Sequence, residues 1–176
     1  MTAKNYRKRE IEAYSEYQKI LHNVKVLDPA CGSGAFLVRV FDWLLAENKR
    51  VTNILYETND QMKLGDDENY FREILKNNIY GVDLNEESVE ITKLSLWLKS
   101  AQKGKKLLTL DNNIKCGNSL IDDPTVAGDK AFNWNTEFAD IMGSGGFDVI
   151  VGNPPYVRNT ALQNKEKDYL SQSYFS

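Results

Sequence analysis

The sequence predicts an α/β fold in which a mostly parallel sheet is flanked by helices. Residues 24–27 form an apolar strand pattern that runs into a glycine-rich turn and then into an amphipathic helix at residues 35–48. A second strand begins at residue 79 and a helix follows it, while residues 147–151 have the composition of a strand buried on both faces of a parallel sheet. Alternating strands and helices are typical of parallel sheets.

Length and composition are those of one domain, and we expect no second domain. The chain has 176 residues, and 41% of them are hydrophobic, which is enough for a single core. The formal charge of -3 lacks the basic excess typical of nucleic-acid binding, so a DNA partner would be contacted mainly by other parts of a longer protein. One histidine and two unpaired cysteines predict no metal site and a reduced, cytoplasmic protein without a signal peptide.

Helical patterns connect the strands. A leading helix is predicted at residues 5–21, a short one at 67–76 and a longer one at 86–100, for which Asn85 is the predicted cap. The last of these is apolar on more than one side, so we expect it to be well buried. Residues 49–66 have no clear period and are predicted to form an inserted surface loop.

The first candidate site is the turn after the first strand, which reads Asp28-Pro29-Ala30-Cys31-Gly32-Ser33-Gly34. Its glycines allow a sharp turn and close approach of a ligand, and the helix that follows presents free N–H groups. A dinucleotide loop would have a third glycine where this chain has Leu37, and the lysine of a phosphate-binding loop is absent. The turn therefore fits a small ligand without a pyrophosphate, and Asp28 suits an amine; a tight turn without a ligand is the alternative.

Polar side chains also end the next two strands. Asp83 follows residues 79–82, at the position where nucleotide-binding folds hold ribose hydroxyls, although it could instead cap the next helix. Asn118 follows residues 114–116. Because its amide both donates and accepts hydrogen bonds, it could read the edge of an adenine, and a simple turn is the alternative.

The second candidate site is Asn153-Pro154-Pro155-Tyr156, within residues 147–158. The prolines lack backbone donors, so the chain must leave the sheet at Asn153. The amide oxygen of Asn153 and the carbonyl of Pro154 are acceptors, and Tyr156 provides an aromatic face. This arrangement suits a planar group with an NH2, such as a nucleobase or a side-chain amide; a turn that only covers the sheet is the alternative.

In this order, the motifs resemble those of S-adenosylmethionine-dependent N6-adenine DNA methyltransferases, and most of all the modification domain of type IIG restriction-modification enzymes. The resemblance implies a Rossmann-like class I methyltransferase fold, here truncated after about the fourth strand. Residues 1–23 would be a leading helix, residues 24–158 would carry the cofactor and target-base motifs, and residues 159–176 would begin a following segment. A target-recognition domain is expected beyond residue 176, and this piece is not expected to methylate DNA by itself.

The resemblance also implies the roles of individual residues. Residues 28–34 would cradle the methionine part of S-adenosylmethionine, Asp83 would hold its ribose and Leu84 would cover its adenine. Asn118, with Ser119 beside it, would meet the adenine amino group, although family members often carry aspartate at the position of Asn118.

Asn153, Pro154, Pro155 and Tyr156 would hold the target adenine, flipped out of double-stranded DNA, with Tyr156 stacked on the base. Asn153 and the Pro154 carbonyl would accept hydrogen bonds from the two N–H groups of the adenine amino group and free its lone pair for the methyl group. Two alternatives remain open at this point. One is a methyltransferase that acts on a glutamine side-chain amide or on RNA, and the other is a Rossmann-like scaffold without catalysis.

Overall fold

The computed structural model describes residues 3–59, 67–100, 108–156 and 162–174. These residues contain a four-stranded sheet whose strands are β1 (Val26–Asp28), β2 (Ile79–Asp83), β3 (Ile114–Cys116) and β4 (Val149–Ile150). The strand order is β3-β2-β1-β4, and every neighbouring pair is parallel. The predicted Rossmann-like α/β fold is confirmed.

Helices cover both faces of the sheet. The α-helices of the described residues are α1 (Ala3–Asn23), α2 (Ala35–Asn59), α3 (Asp67–Asn77), α4 (Glu86–Ser100), α5 (Pro124–Ala127), α6 (Trp134–Glu137), α7 (Ala139–Gly143) and α8 (Asn164–Tyr174). Helices α1 to α4 pack on one face, while α6 and α7 pack on the other. Within the described ranges, no helix combines the length and the apolar character that a membrane crossing requires.

The alternation of side chains along the strands divides the core into two layers. On one face, Ile79 packs with Leu37 and Phe41 of α2. On the other face, Tyr80 meets Phe138 edge to face, with ring centroids 5.8 Å apart. Each fully buried side chain of this size stabilises the fold by about 1.5–3 kcal/mol, so the two layers together fix the sheet on which the candidate site is built.

The prediction of a surface loop at residues 49–66 is wrong for its first part, because α2 continues to Asn59. Val51 is buried against the core. The Thr52 hydroxyl accepts a hydrogen bond from Gln18 of α1 (3.1 Å) and lies 2.6 Å from the Tyr70 hydroxyl of α3. Contacts with two other helices therefore stabilise a segment whose own periodicity is weak. Residues 60–66 lie outside the described residues.

The expectation that α4 is buried on more than one side is also wrong for the described part of the chain. Val89 and Leu96 lie in the core, but Ile91, Leu94 and Leu98 are at least half exposed. These exposed residues are spaced three and four positions apart, so they form a single apolar stripe on the outer side of the helix. The boundaries of α4 and the cap at Asn85, whose Oδ1 accepts from the Ser88 N–H at 3.0 Å, are as predicted.

Strand β4 is not buried on both faces as its composition predicts. Val149 is 42% and Ile150 60% exposed, because β4 is an edge strand that pairs only with β1 among the described residues. Its position is nevertheless well defined. The side chain of Asp148 accepts a hydrogen bond from the Lys25 N–H at 2.8 Å, and Val151 donates to the Leu27 carbonyl at 2.9 Å.

Candidate active site

The glycine-rich turn connects the end of β1 to the first residue of α2. Gly32 and Gly34 have φ angles of 53° and 81°, which explains why residues without a Cβ occupy these positions. The Gly34 N–H donates to the Cys31 carbonyl at 2.8 Å and closes the turn. The turn thus brings its backbone to the carboxyl edge of the sheet, where α/β folds bind their ligands.

Asp83, at the end of β2, binds this turn directly. One carboxylate oxygen accepts the Gly32 N–H at 2.8 Å, and the other accepts the Asn85 N–H at 2.9 Å. Each oxygen keeps a second lone pair for a ligand hydroxyl. The N-cap of α4 is Asn85 rather than Asp83. Leu84, the next residue, is 55% exposed, as a residue that covers a ligand would be, and its role stays a prediction.

Thr92 of α4 is a site residue that the sequence analysis missed. Its hydroxyl donates to the Gly32 carbonyl at 2.8 Å. A Cβ at Gly34 would come 2.8 Å from the Thr92 Cγ2, so the turn lies directly on this side chain. The only signal in the sequence is a polar residue on the apolar face that Val89 and Leu96 share.

Asp28 lies at the junction of β1, the turn and β4. It is buried, its Oδ1 accepts the Ala30 N–H at 3.1 Å, and Gly152 packs against its carboxylate. Burial raises the pKa of Asp28, and the negative charge of Asp83 adds to this, while the bond from Ala30 opposes it. The buried side chain of Asp28 therefore contacts both the turn, through Ala30, and the chain that follows β4, at Gly152. Its contact with a ligand amine stays a prediction.

The segment Asn153 to Tyr156 continues directly from Gly152. It is exposed, and Tyr156 most of all. Because Gly152 lies on Asp28, the segment starts beside the glycine-rich turn. The first and second candidate sites are thereby neighbours at one edge of the sheet. Val157 and Arg158 lie outside the described residues.

Asn118 lies beyond the end of β3, the outer neighbour of β2. Its Oδ1 accepts the Leu120 N–H at 3.1 Å, so the side chain forms the simple turn that was the alternative interpretation. Its Nδ2 donates to no acceptor among the described residues and remains able to meet a ligand. The Ser119 carbonyl accepts from the Trp134 indole at 3.0 Å, which ties this turn to α6. The ligand contacts of Asn118 and Ser119 stay predictions.

The Cys31 thiol lies in the turn at this edge of the sheet and is buried. Burial raises the pKa of the Cys31 thiol to about 12, against the hydrogen bond of Thr92, so Cys31 stays a neutral thiol near pH 7. In the part of the chain that is described, no three His, Cys, Asp or Glu side chains are grouped so as to hold a metal ion. The groups at this edge are hydrogen-bond donors and acceptors beside an exposed leucine and tyrosine, a set that suits a polar organic ligand.

Comparison with known proteins identifies related sequences. The type II restriction enzyme and methyltransferase RM.Eco57I of Escherichia coli is 34% identical over 176 residues, which cover 88% of this chain and 17% of the relative. DNA methyltransferase A of Bacillus subtilis is 27% identical over 182 residues, covering 92% and 18% of the two chains. The adenine-specific methyltransferase BrxX of Escherichia coli O9:H4 is 30% identical over 86 residues, covering 49% and 6%.

This chain thus spans less than a fifth of the length of each of these relatives. The family described as Eco57I restriction-modification methylase matches residues 77–176. That match is more than half of the chain, and it includes β2, β3, β4 and the segment Asn153 to Tyr156. The chain therefore belongs to the Eco57I restriction-modification methylase family.

Proposed function

We propose that the protein containing this chain transfers a methyl group from S-adenosylmethionine to the N6 of adenine in double-stranded DNA, as part of a restriction-modification enzyme. The observation that carries the proposal is the contact of Gly152 with Asp28, because it brings the Asn153 to Tyr156 segment beside the glycine-rich turn. The name of the relative BrxX, which includes adenine-specific, favours adenine as the target.

The residues at the sheet edge fit S-adenosylmethionine. The turn offers backbone to a ligand, since Gly32 and Gly34 adopt conformations that keep side chains out of the way. Asp83 has lone pairs for two neighbouring ribose hydroxyls, and Leu84 exposes an apolar surface for an adenine ring. Asn118 Oδ1, which accepts from Leu120 and keeps a second lone pair, would accept a hydrogen bond from the amino group of that adenine.

S-adenosylmethionine, when bound, supplies a methyl group that is already activated on a sulfonium. The remaining difficulty is the adenine amino group, whose lone pair is delocalised into the ring. Asn153 Oδ1 and the Pro154 carbonyl would each accept a hydrogen bond from one of its N–H groups, which favours the geometry in which the lone pair is available. Pro154 and Pro155 restrict the backbone that carries these acceptors, so little ordering remains to be done when the base arrives.

Tyr156 would stack on the target adenine. Its ring is completely exposed in the described structure, as a stacking surface for an incoming base requires. The base must leave the duplex to reach it. With a formal charge of -3, this chain supplies no general attraction for phosphates, so duplex binding and sequence recognition would come from a domain that follows residue 176. Residues 24–158 would then be the catalytic part and residues 159–176 the start of the following segment.

The test is a transfer assay with the intact protein and S-adenosylmethionine labelled in its methyl group. Duplex DNA with adenine in every sequence context, the same duplex with adenine replaced by 2-aminopurine, RNA and a mixture of cellular proteins serve as acceptors. We expect label only in the first, recovered as N6-methyladenine. Label in RNA or on glutamine would instead establish one of the alternative substrates, and no label together with no cofactor binding would favour the scaffold.

A further inference from the structure

Thr92 is a polar side chain in an apolar environment. It lies on the same face of α4 as Val89 and Leu96 and is 0% exposed. Its hydroxyl does not serve its own helix but crosses to the carbonyl of Gly32, sixty residues away, at 2.8 Å. Its methyl group fills the space below Gly34. One side chain thus supports the turn at two points.

Gly32 is held on both sides. Its N–H donates to Asp83 at 2.8 Å, and its carbonyl accepts from Thr92 at 2.8 Å. There is no cis peptide bond in the described chain, so the carbonyl of Gly32 and the N–H of Ser33 point in opposite directions across one planar group. Because the carbonyl points to α4, the Ser33 N–H points away from it. Ser33 is exposed, and its N–H meets no protein acceptor among the described residues.

We propose that Thr92 is a positioning residue that fixes this peptide group so that the Ser33 N–H donates to the carboxylate of the bound cofactor's amino-acid part. This inference rests on the proposed function, since it assumes that S-adenosylmethionine is the ligand. An N–H with a fixed direction loses less entropy on binding a carboxylate than one in a mobile turn. Thr92 would therefore contribute to affinity without touching the ligand.

The variant Thr92→Val tests the hydroxyl, because valine keeps the shape and the methyl group that lies below Gly34. Thr92→Ser is the reciprocal variant, since it keeps the donor and loses the methyl group. Ser95→Ala is the matched control on the same helix, because the Ser95 hydroxyl donates only to the Ile91 carbonyl one turn earlier, at 2.8 Å. Thermal unfolding of each variant shows whether it is folded at the temperature of the binding measurement.

The informative measurement is calorimetric binding of two ligands to the intact protein. S-adenosylhomocysteine carries the amino-acid carboxylate, whereas 5′-methylthioadenosine shares the nucleoside and lacks the amino-acid part. We expect Thr92→Val to lower the affinity for S-adenosylhomocysteine by about tenfold, which is the effect of one hydrogen bond to a charged group. The affinity for 5′-methylthioadenosine should not change. Ser95→Ala should bind both ligands as the wild type does, and Thr92→Ser, which keeps the donor, should retain more of the affinity for S-adenosylhomocysteine than Thr92→Val does.

If Thr92→Val lowered the affinity for both ligands equally, the inference would be overturned, since Thr92 would then only support the fold. An unchanged affinity for S-adenosylhomocysteine would overturn it as well. If the wild type binds neither ligand, the proposed function itself fails. A second measurement needs no variant. In the wild type, S-adenosylhomocysteine should slow hydrogen exchange in the peptide that contains Ser33 more than 5′-methylthioadenosine does, and equal protection by the two would contradict the proposal.

Discussion

Gly152 lies directly on the carboxylate of Asp28. A Cβ at residue 152 would come 2.6 Å from Asp28 Oδ1, closer than such atoms can approach, and the φ angle of Gly152 is 150°. These two residues lie at the ends of the neighbouring parallel strands β1 and β4. Their contact brings the glycine-rich turn and the segment Asn153 to Tyr156 to the same place.

Gly152→Ala should therefore displace the Asn153 segment and destabilise the protein. Neither Asp28, which is buried, nor the backbone of β4 can move freely, so we expect the free energy of unfolding to fall by about 1–3 kcal/mol. Methyl transfer should fall further than this loss of stability explains. Gly143→Ala, where a Cβ meets nothing within 4 Å, is the matched control. If Gly152→Ala and Gly143→Ala had the same urea unfolding and the same activity, the close approach of Gly152 to Asp28 would not fix the position of the Asn153 segment.

Asp83→Asn should weaken cofactor binding. Asparagine has nearly the same shape but loses the negative charge and one of the oxygens that now accept from Gly32 and Asn85. Loss of a charge-assisted pair to the ribose predicts an affinity for S-adenosylhomocysteine that is lower by about 10- to 100-fold. Calorimetry measures this, with Asp140→Asn on the exposed side of α7 as the control. A change of less than twofold at Asp83 would refute the ribose contact.

Asn153→Ala should separate binding from chemistry. Removal of an acceptor for the adenine amino group is expected to slow methyl transfer by about 100-fold or more, the effect of losing one such aligned group. The affinity for S-adenosylhomocysteine should stay close to that of the wild type, because no cofactor contact is assigned to Asn153. Single-turnover assays and calorimetry give the two quantities, and Asn135→Ala, exposed in α6, is the control. Parallel loss of binding and transfer would assign Asn153 to the cofactor instead.

Asp28→Asn should stabilise the protein at neutral pH. Burial raises the pKa of Asp28, so the folded state binds its proton more tightly than the unfolded state does. Below the unfolded pKa, about 3.9, Asp28 is protonated in both states and does not reduce the stability of the wild type. The stability then falls as the pH rises through the folded pKa, because the buried carboxyl becomes charged. Urea unfolding should show the variant to be more stable at about pH 7, with the gain absent near pH 3. A gain that is equal at both pH values would have another cause.

The sequence was sufficient to predict those elements whose own residues signal where they begin and end. The bounds of α4 are predicted because Asn85 and the acidic residues after it signal the start of a helix. The apolar strand patterns likewise predicted that Asp83 and Asn153 lie at the carboxyl edge of the sheet, because each follows directly from a strand.

Contacts between distant segments were not predictable in this way. The end of α2 depends on Thr52 meeting Gln18 and Tyr70, which belong to other helices. The support of Gly32 by Thr92 and the contact of Gly152 with Asp28 likewise join residues far apart in the chain. The exposure of β4 depends on its neighbours in the sheet and not on its own composition.

Strand β1 lies between β2 and β4, with Leu27 opposite both Tyr80 and Ile150. Asp83, the last residue of β2, and Asn153, which follows β4, thus reach the sheet edge from two separate strands. Each of these strands is held to β1 by its own ladder of backbone hydrogen bonds. A ladder can shift only by whole residues, about 3.3 Å each, and a single shift also turns the side chains to the opposite face. A shift in strand register would therefore change the distance between methyl donor and acceptor only in steps of a whole residue. Smaller changes in that distance would have to come from the loops beyond the strands.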